Sequence, residues 1–221
     1  METDSTDLLR TNTSSMSPRK VGEVCLSARN DVNELLYNWQ VPGTLVAQAD
    51  KLRDSLGKQA LFREGTSFRE AYIAGKFGIH LGADFVRLLR PGSQPTPDFA
   101  LRFEESELWF ESTEADRPSR KRNLEYLEST TLEGTRLLRD DEWVDQSIYA
   151  REIDRLCRQK SAKNYGKCDG LIINSNAFGI IGEELMDEKW WRKSASTALV
   201  NFDQVWRFHR STFERIVPIL T

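Results

Sequence analysis

The sequence predicts an α/β protein, and three observations carry that expectation. Short apolar segments, namely Phe85 to Leu89, Phe99 to Phe103, Leu108 to Phe110 and Leu171 to Ile173, read as strands. Longer stretches around them carry apolar residues at helical spacing, among them Val32, Leu35, Leu36 and Trp39, and later Ile153, Leu156 and Cys157. The chain has 221 residues, 39% hydrophobic and 10% aromatic, which is enough to fill the core of such a layered fold.

Taken in order, residues 1 to 20 are rich in Ser, Thr and Asp and read as a disordered tail without the apolar stretch of a secretory signal. Residues 21–66 are expected to form a helical cap packed on the core. Within it, Asp31 to Trp39 forms a helix ended by Pro42 and Gly43, and Leu45 to Leu56 forms a second. The core is expected over 67–221. It opens on Ser67-Phe68-Arg69-Glu70, a capping box in which Glu70 folds back on the Ser67 amide. That helix runs through Lys76 and fades at Gly78 and Gly82. A strand over Phe85 to Leu89 closes at Arg90-Pro91-Gly92, and Pro95 and Pro97 hold the next connection extended, delivering Asp98 to the following strand.

Phe99, Leu101 and Phe103 alternate on one side of the polar run Glu104 to Glu107, and Leu108 and Phe110 on the other, which predicts a hairpin. If Phe103 pairs with Leu108, Asp98 faces Thr113 and Ala100 faces Glu111. Asp98, Glu111 and Thr113 then share the polar face, with the two carboxylates as diagonal neighbours. Carboxylates that close repel unless a cation or a proton lies between them. A charged loop, Asp116 to Asn123, and a helix-prone stretch around Gly134 follow. Trp143 to Asn164 is the long helix, with Ile153, Leu156, Cys157 and Lys160 on one face. Cys168 to Asn174 is a strand, and its continuous apolar run suits burial on both faces. The aromatic-rich tail is expected to add an edge strand and a closing helix.

Pro97-Asp98 on one strand and Glu111-Ser112-Thr113 on the next resemble the core motif of the PD-(D/E)XK nucleases. The order of elements, helix, strand, hairpin, helix, strand, is similar as well. The resemblance implies a restriction-endonuclease-like core, with a mixed sheet of four to five strands flanked by helices and with helical additions at both ends. It implies that Asp98 and Glu111 hold Mg2+ or Mn2+, with the Ser112 carbonyl as a third ligand. The family's lysine would stand at Thr113, whose hydroxyl can orient water but carries no charge. Lys160 and Lys163, one helical turn apart, are the candidates to replace it. A register through Glu114 and Asp116 also spaces acids by two, without a lysine. Arg117, Arg120, Lys121 and Arg122 are either a solvated loop or a clamp on the phosphate backbone of DNA or RNA.

Composition excludes several other classes. The net charge of −3 gives no global basic footprint for duplex binding. Three scattered cysteines and two histidines exclude a Cys/His zinc site, and neither histidine has the partners of a hydrolytic triad. No glycine-rich phosphate loop and no run long enough to span a membrane occurs. The expectation is a cytoplasmic protein, with homo-oligomerisation through the aromatic-rich C-terminal part. Two functions stand: a metal-dependent nucleic-acid phosphodiesterase, or a catalytically inactive nuclease-fold interaction or assembly module.

Overall fold

We describe the protein from a computed structural model over residues 34–55, 58–115, 146–175, 188–209 and 212–217. The expected tail at 1–20, the basic cluster Arg117, Arg120, Lys121 and Arg122, and the helix-prone stretch around Gly134 lie outside these residues.

A helical turn at 34–36 leads into α1 (Pro42–Ser55). Pro42 opens this helix instead of ending the previous one, because at the first position its missing N–H and fixed φ cost nothing. The next helix, α2 (Lys58–Leu81), begins well before the expected capping box. Ser67 therefore lies about two and a half turns inside the helix and caps nothing, and the expected boundary at 66/67 falls within this element. Glu70 is released from the capping role. The helix ends at Gly82, whose φ of 68° is the left-handed conformation glycine tolerates. The Ala83 amide bonds to the Gly78 carbonyl at 2.9 Å and the Gly82 amide to Ile79 at 3.2 Å, a Schellman ending.

Six strands follow: β1 (Phe85–Leu88), β2 (Phe99–Phe103), β3 (Ser106–Ala115), β4 (Gly170–Ser175), β5 (Gln204–His209) and β6 (Thr212–Val217). They form one mixed sheet in chain order. The β1–β2–β3 meander is antiparallel, β3–β4 and β4–β5 are parallel, and β5–β6 is an antiparallel hairpin. The α3 helix (Gln146–Ser161) makes the crossover to the parallel part, and the short α4 (Glu188–Ser194) precedes β5.

Two expectations are corrected here. The sheet has six strands, not four to five, and the segment expected as a closing helix is β6. Its apolar residues lie three apart because Phe213 enters the core on one face of the sheet and Ile216 the core on the other. An edge strand covered on both faces thus mimics helical spacing. The hairpin register also differs: Phe103 pairs with Ser106 and Leu101 with Leu108, around a two-residue turn at Glu104 and Glu105. The tighter turn sets Arg102 opposite Glu107, with which it forms an ion pair at 3.6 Å. A slip of two residues preserves which face each side chain takes.

The sheet separates two cores. On one face, α1 and α2 bury Leu45, Ala74 and Phe77 against Phe99, Leu101, Phe110 and Trp206. Phe77 is the hub, with ring centroids 4.9 Å from Phe110 and 5.1 Å from Trp206. On the other face, α3 lays Tyr149, Ile153, Leu156 and Cys157 over Ala115, Leu171 and Ile173. Trp191 is buried there too, and the His209 ring nitrogen Nδ1 lies 3.1 Å from the Ser175 carbonyl oxygen, so both are structural. Among the described residues, no helix is long and apolar enough to cross a membrane.

Gly170, where β4 enters between β3 and β5, admits no side chain. A Cβ there would stand 2.6 and 2.8 Å from ring carbons of Phe110 and 3.0 Å from the Gln204 carbonyl oxygen. Gly170→Ala is expected to lower stability by about 1–3 kcal/mol, the usual cost of overpacking. Urea unfolding measures it, and an unchanged midpoint would contradict the packing described.

Candidate functional site

The corrected register sharpens the acidic pair. Phe99 lies opposite Phe110, and their rings stack at 5.6 Å on the α2 face. Asp98 lies just before that ladder begins, its amide bonding the Phe110 carbonyl at 3.0 Å, and the charge of Glu111 acts on its carboxyl, so the two acids are neighbours. Beyond Asp98 the ladder stops, because Pro97 has no N–H to continue it. The Asp98 side chain takes over the next pairing: its Oδ2 accepts from the Ser112 amide and from the Ser112 hydroxyl, each at 2.7 Å. A local break in β2 thus fixes one carboxylate against β3.

Glu111 is 1% exposed and meets two cations, Lys160 from α3 and Lys163 from the turn after it. Lys160 donates to Glu111 Oε1 in a short ion pair, and Lys163 reaches the same oxygen at 3.3 Å. Lys160 belongs to the buried stripe of α3, after Ile153 and Leu156–Cys157, so the packing that seats the helix also delivers its amine to the sheet. Glu111 Oε2 is buried and meets no hydrogen-bond partner among the described residues. Thr113 lies two residues along on the same face and is buried beneath α3.

Glu70 completes the cluster from α2. Its neighbour Arg69 bonds Glu114 at 3.0 Å, tying this part of the helix to β3. That ion pair gives Glu114 a structural partner, and Asp116 lies outside the described residues. Burial, then the charges of Asp98 and Glu111, push the Glu70 carboxyl up to about 8, against the pull of Lys160 and Arg69. Asp98 is also raised, by burial and then by Glu111, with the Ser112 hydrogen bonds opposing. The charges of Asp98, Glu111 and Lys160 thus all act on Glu70, and Lys160 also acts on Asp98.

Of the residues singled out in the sequence, Asp98, Glu111, Ser112, Lys160 and Lys163 are brought together, and Thr113 stands beside them. Glu70 is the member the sequence reading assigned elsewhere. The signal was its position four and seven residues before Ala74 and Phe77, an acid within the apolar stripe of α2. Comparison with protein-family profiles, curated proteins and solved structures returns no match for this chain.

Two features of this site suit a hard divalent cation. The donors are carboxylate and carbonyl oxygens, the chemistry such cations prefer. Glu111 Oε2 is a buried carboxylate oxygen without a hydrogen-bond partner among the described residues, while Lys160 and Lys163 hold the other oxygen. Among the described residues, no three His, Cys, Asp or Glu side chains stand in ligating geometry. A site of two carboxylates and one backbone carbonyl, completed by waters, does not require three.

Proposed function

We propose that this protein is a divalent-cation-dependent nucleic-acid phosphodiesterase with a restriction-endonuclease-like core of the PD-(D/E)XK type. The observation that carries the reading is the lysine: the amine of Lys160 lies on Glu111, near enough to Asp98 for its charge to act there too, where Thr113 leaves the motif without its positive charge. The helix, the antiparallel meander, the crossover helix and the strand parallel to β3 also support it. Fold likeness alone would not.

In this reading Asp98, Glu111 and the Ser112 carbonyl hold Mg2+ or Mn2+. When bound, the cation supplies Lewis acidity toward a phosphate oxygen and lowers the pKa of a water. The remaining chemistry belongs to the chain. Ser112 holds Asp98 in place through two hydrogen bonds, so the carboxylate does not have to reorganise during reaction. Lys160 orients Glu111 and places a positive charge where negative charge builds on the phosphate. Lys163, with 41% of its side chain exposed, is free to turn toward an incoming phosphate. Glu70, its carboxyl raised to about 8 by burial and the charges of Asp98 and Glu111 without the cation, is the candidate general base for water.

Incubation with DNA and RNA in Mg2+ or Mn2+ is expected to give cleavage. Asp98→Ala should lower it by at least about a hundredfold, as losing one charge-organising group does elsewhere. Cleavage that survives this substitution removes the assignment.

One observation favours a second reading, an inactive assembly module of the same fold. Glu111 Oε1 is already matched by two lysines and Asp98 Oδ2 by two Ser112 donors, as in a purely structural polar network. Calorimetric titration with Mg2+ separates the two. Binding that disappears in Asp98→Ala and Glu111→Gln supports the enzyme, and no binding supports the module.

A further inference from the structure

A cavity of about 340 Å³ opens on the far side of the two lysines. One wall is the C-terminal end of α3 and the turn after it, carrying Lys160, Lys163, Asn164 and Tyr165. The facing wall is the end of the short 3-10 helix Ala198–Val200, carrying Asn201 and Phe202. The walls are tied together. Thr197 Oγ1 donates to Asp154 Oδ1 at 2.8 Å, and the Asn201 and Phe202 amides both bond the Ala198 carbonyl at 3.0 Å. The space is therefore preformed.

Its lining is divided chemically. The half-buried Tyr165 ring packs on the buried Phe202 ring, with centroids 6.3 Å apart and inclined by 51°, and the Lys163 amine lies 5.6 Å from the Tyr165 centroid. Asn164 and Asn201 stand exposed at the rim, each offering donors and an acceptor. The two amines lie on the side that meets Glu111. The Tyr165 hydroxyl is buried without a hydrogen-bond partner among the described residues, as is Glu111 Oε2.

We propose that this cavity is the subsite for one unstacked nucleotide adjoining the cleaved phosphate, and that the substrate is single-stranded nucleic acid or a frayed end. The inference rests on the phosphodiesterase reading and extends it to substrate class. The exposed part of the Tyr165 ring offers a base an apolar contact, the amides read its edge, and the lysines that meet Glu111 receive the phosphate. The volume lies at the lower end of that of small-molecule sites. It accommodates a single nucleotide and not a base pair, so a duplex must open a base before its phosphate reaches the acids.

The test uses the full chain without divalent cation and a short fluorescein-labelled single strand, beside a blunt duplex of the same sequence. Anisotropy is expected to show the single strand bound at least about tenfold more tightly. Asn201→Asp and Asn164→Asp, exposed substitutions that set a negative charge at the rim, should weaken single-strand binding about tenfold and leave duplex binding unchanged. Equal affinity for duplex, binding indifferent to both substitutions, or no binding of either probe overturns the subsite. Cleavage of duplex and single strand alike, unaffected by Asn201→Asp, removes the subsite and leaves the phosphodiesterase. Pocket-dependent binding of the single strand without cleavage in any divalent cation leaves the nucleotide site and removes the enzyme.

Discussion

Lys160→Met is expected to destabilise the protein by about 2–4 kcal/mol and to remove most of its proposed cleavage activity. The Lys160 side chain is 17% exposed and Glu111 only 1%, so the substitution strands a carboxylate in the sheet. Removing one partner of a buried pair typically costs about 3–5 kcal/mol; Lys163, 3.3 Å from the same oxygen, offsets part of that here. Lys163→Met should cost less than about 1 kcal/mol, because its side chain is largely solvated and Lys160 stays in place. The combination Lys160→Met with Glu111→Gln should recover most of the loss, since neither partner then carries an unpaired charge. Urea unfolding of the four proteins gives the comparison directly. A double variant no more stable than Lys160→Met would show that helix packing, and not the stranded charge, sets the cost.

The same series ranks the lysines in the proposed reaction. Lys160→Met should slow cleavage by about 10²–10³, the scale for one positioned charge at a developing anion. Lys163→Met should act mainly on substrate affinity, because its amine is free to follow the phosphate. A larger fall in rate for Lys163→Met would reverse the assignment.

Much of this arrangement was legible in the sequence, and the failures have distinct physical causes. Alternation in Phe99, Leu101 and Phe103 is a period-2 signal that survives an error of register by two, so the face taken by each of these residues was readable although its partner was not. Lys160 was readable because it continues the stripe of Ile153, Leu156 and Cys157. Glu70 was not, because Ser67-Phe68-Arg69-Glu70 satisfies a local capping pattern while tertiary packing runs the helix straight through it. Pro42 misled for a related reason, since a proline both ends one helix and begins another. The β6 strand was hidden by covers on both its faces. The pocket was invisible, because its walls are contributed by Tyr165 and by Phe202, joined by tertiary contacts that local periodicity does not encode.

Glu70→Gln is expected to make the metal-free protein more stable at pH 8 and to flatten its pH dependence. The carboxyl of Glu70 is held up to about 8, against an ordinary 4.5, by burial and then by Asp98 and Glu111. Between those values the folded protein keeps a proton that the unfolded chain has released. The stability tied to this proton is complete below pH 4.5 and is lost as pH rises through 8. Asp98, also raised, works in the same direction. A fully sealed group with this shift would lose roughly 5 kcal/mol over that window. Glu70 is only partly enclosed and Lys160 stands nearby, so about 2 kcal/mol is expected. Glutamine keeps the shape without the charge, and its advantage should appear at pH 8 and vanish near pH 5. Unfolding in urea with a chelator at the two values tests this; stability that rises with pH, or a variant no more stable at pH 8, would show that the acids do not repel as described. Saturating Mg2+ should reverse the slope for the wild type, because a bound cation favours the ionised carboxyls. A chain built for structure alone would gain by replacing Glu70, whereas one that holds a cation must tolerate the repulsion until the cation arrives.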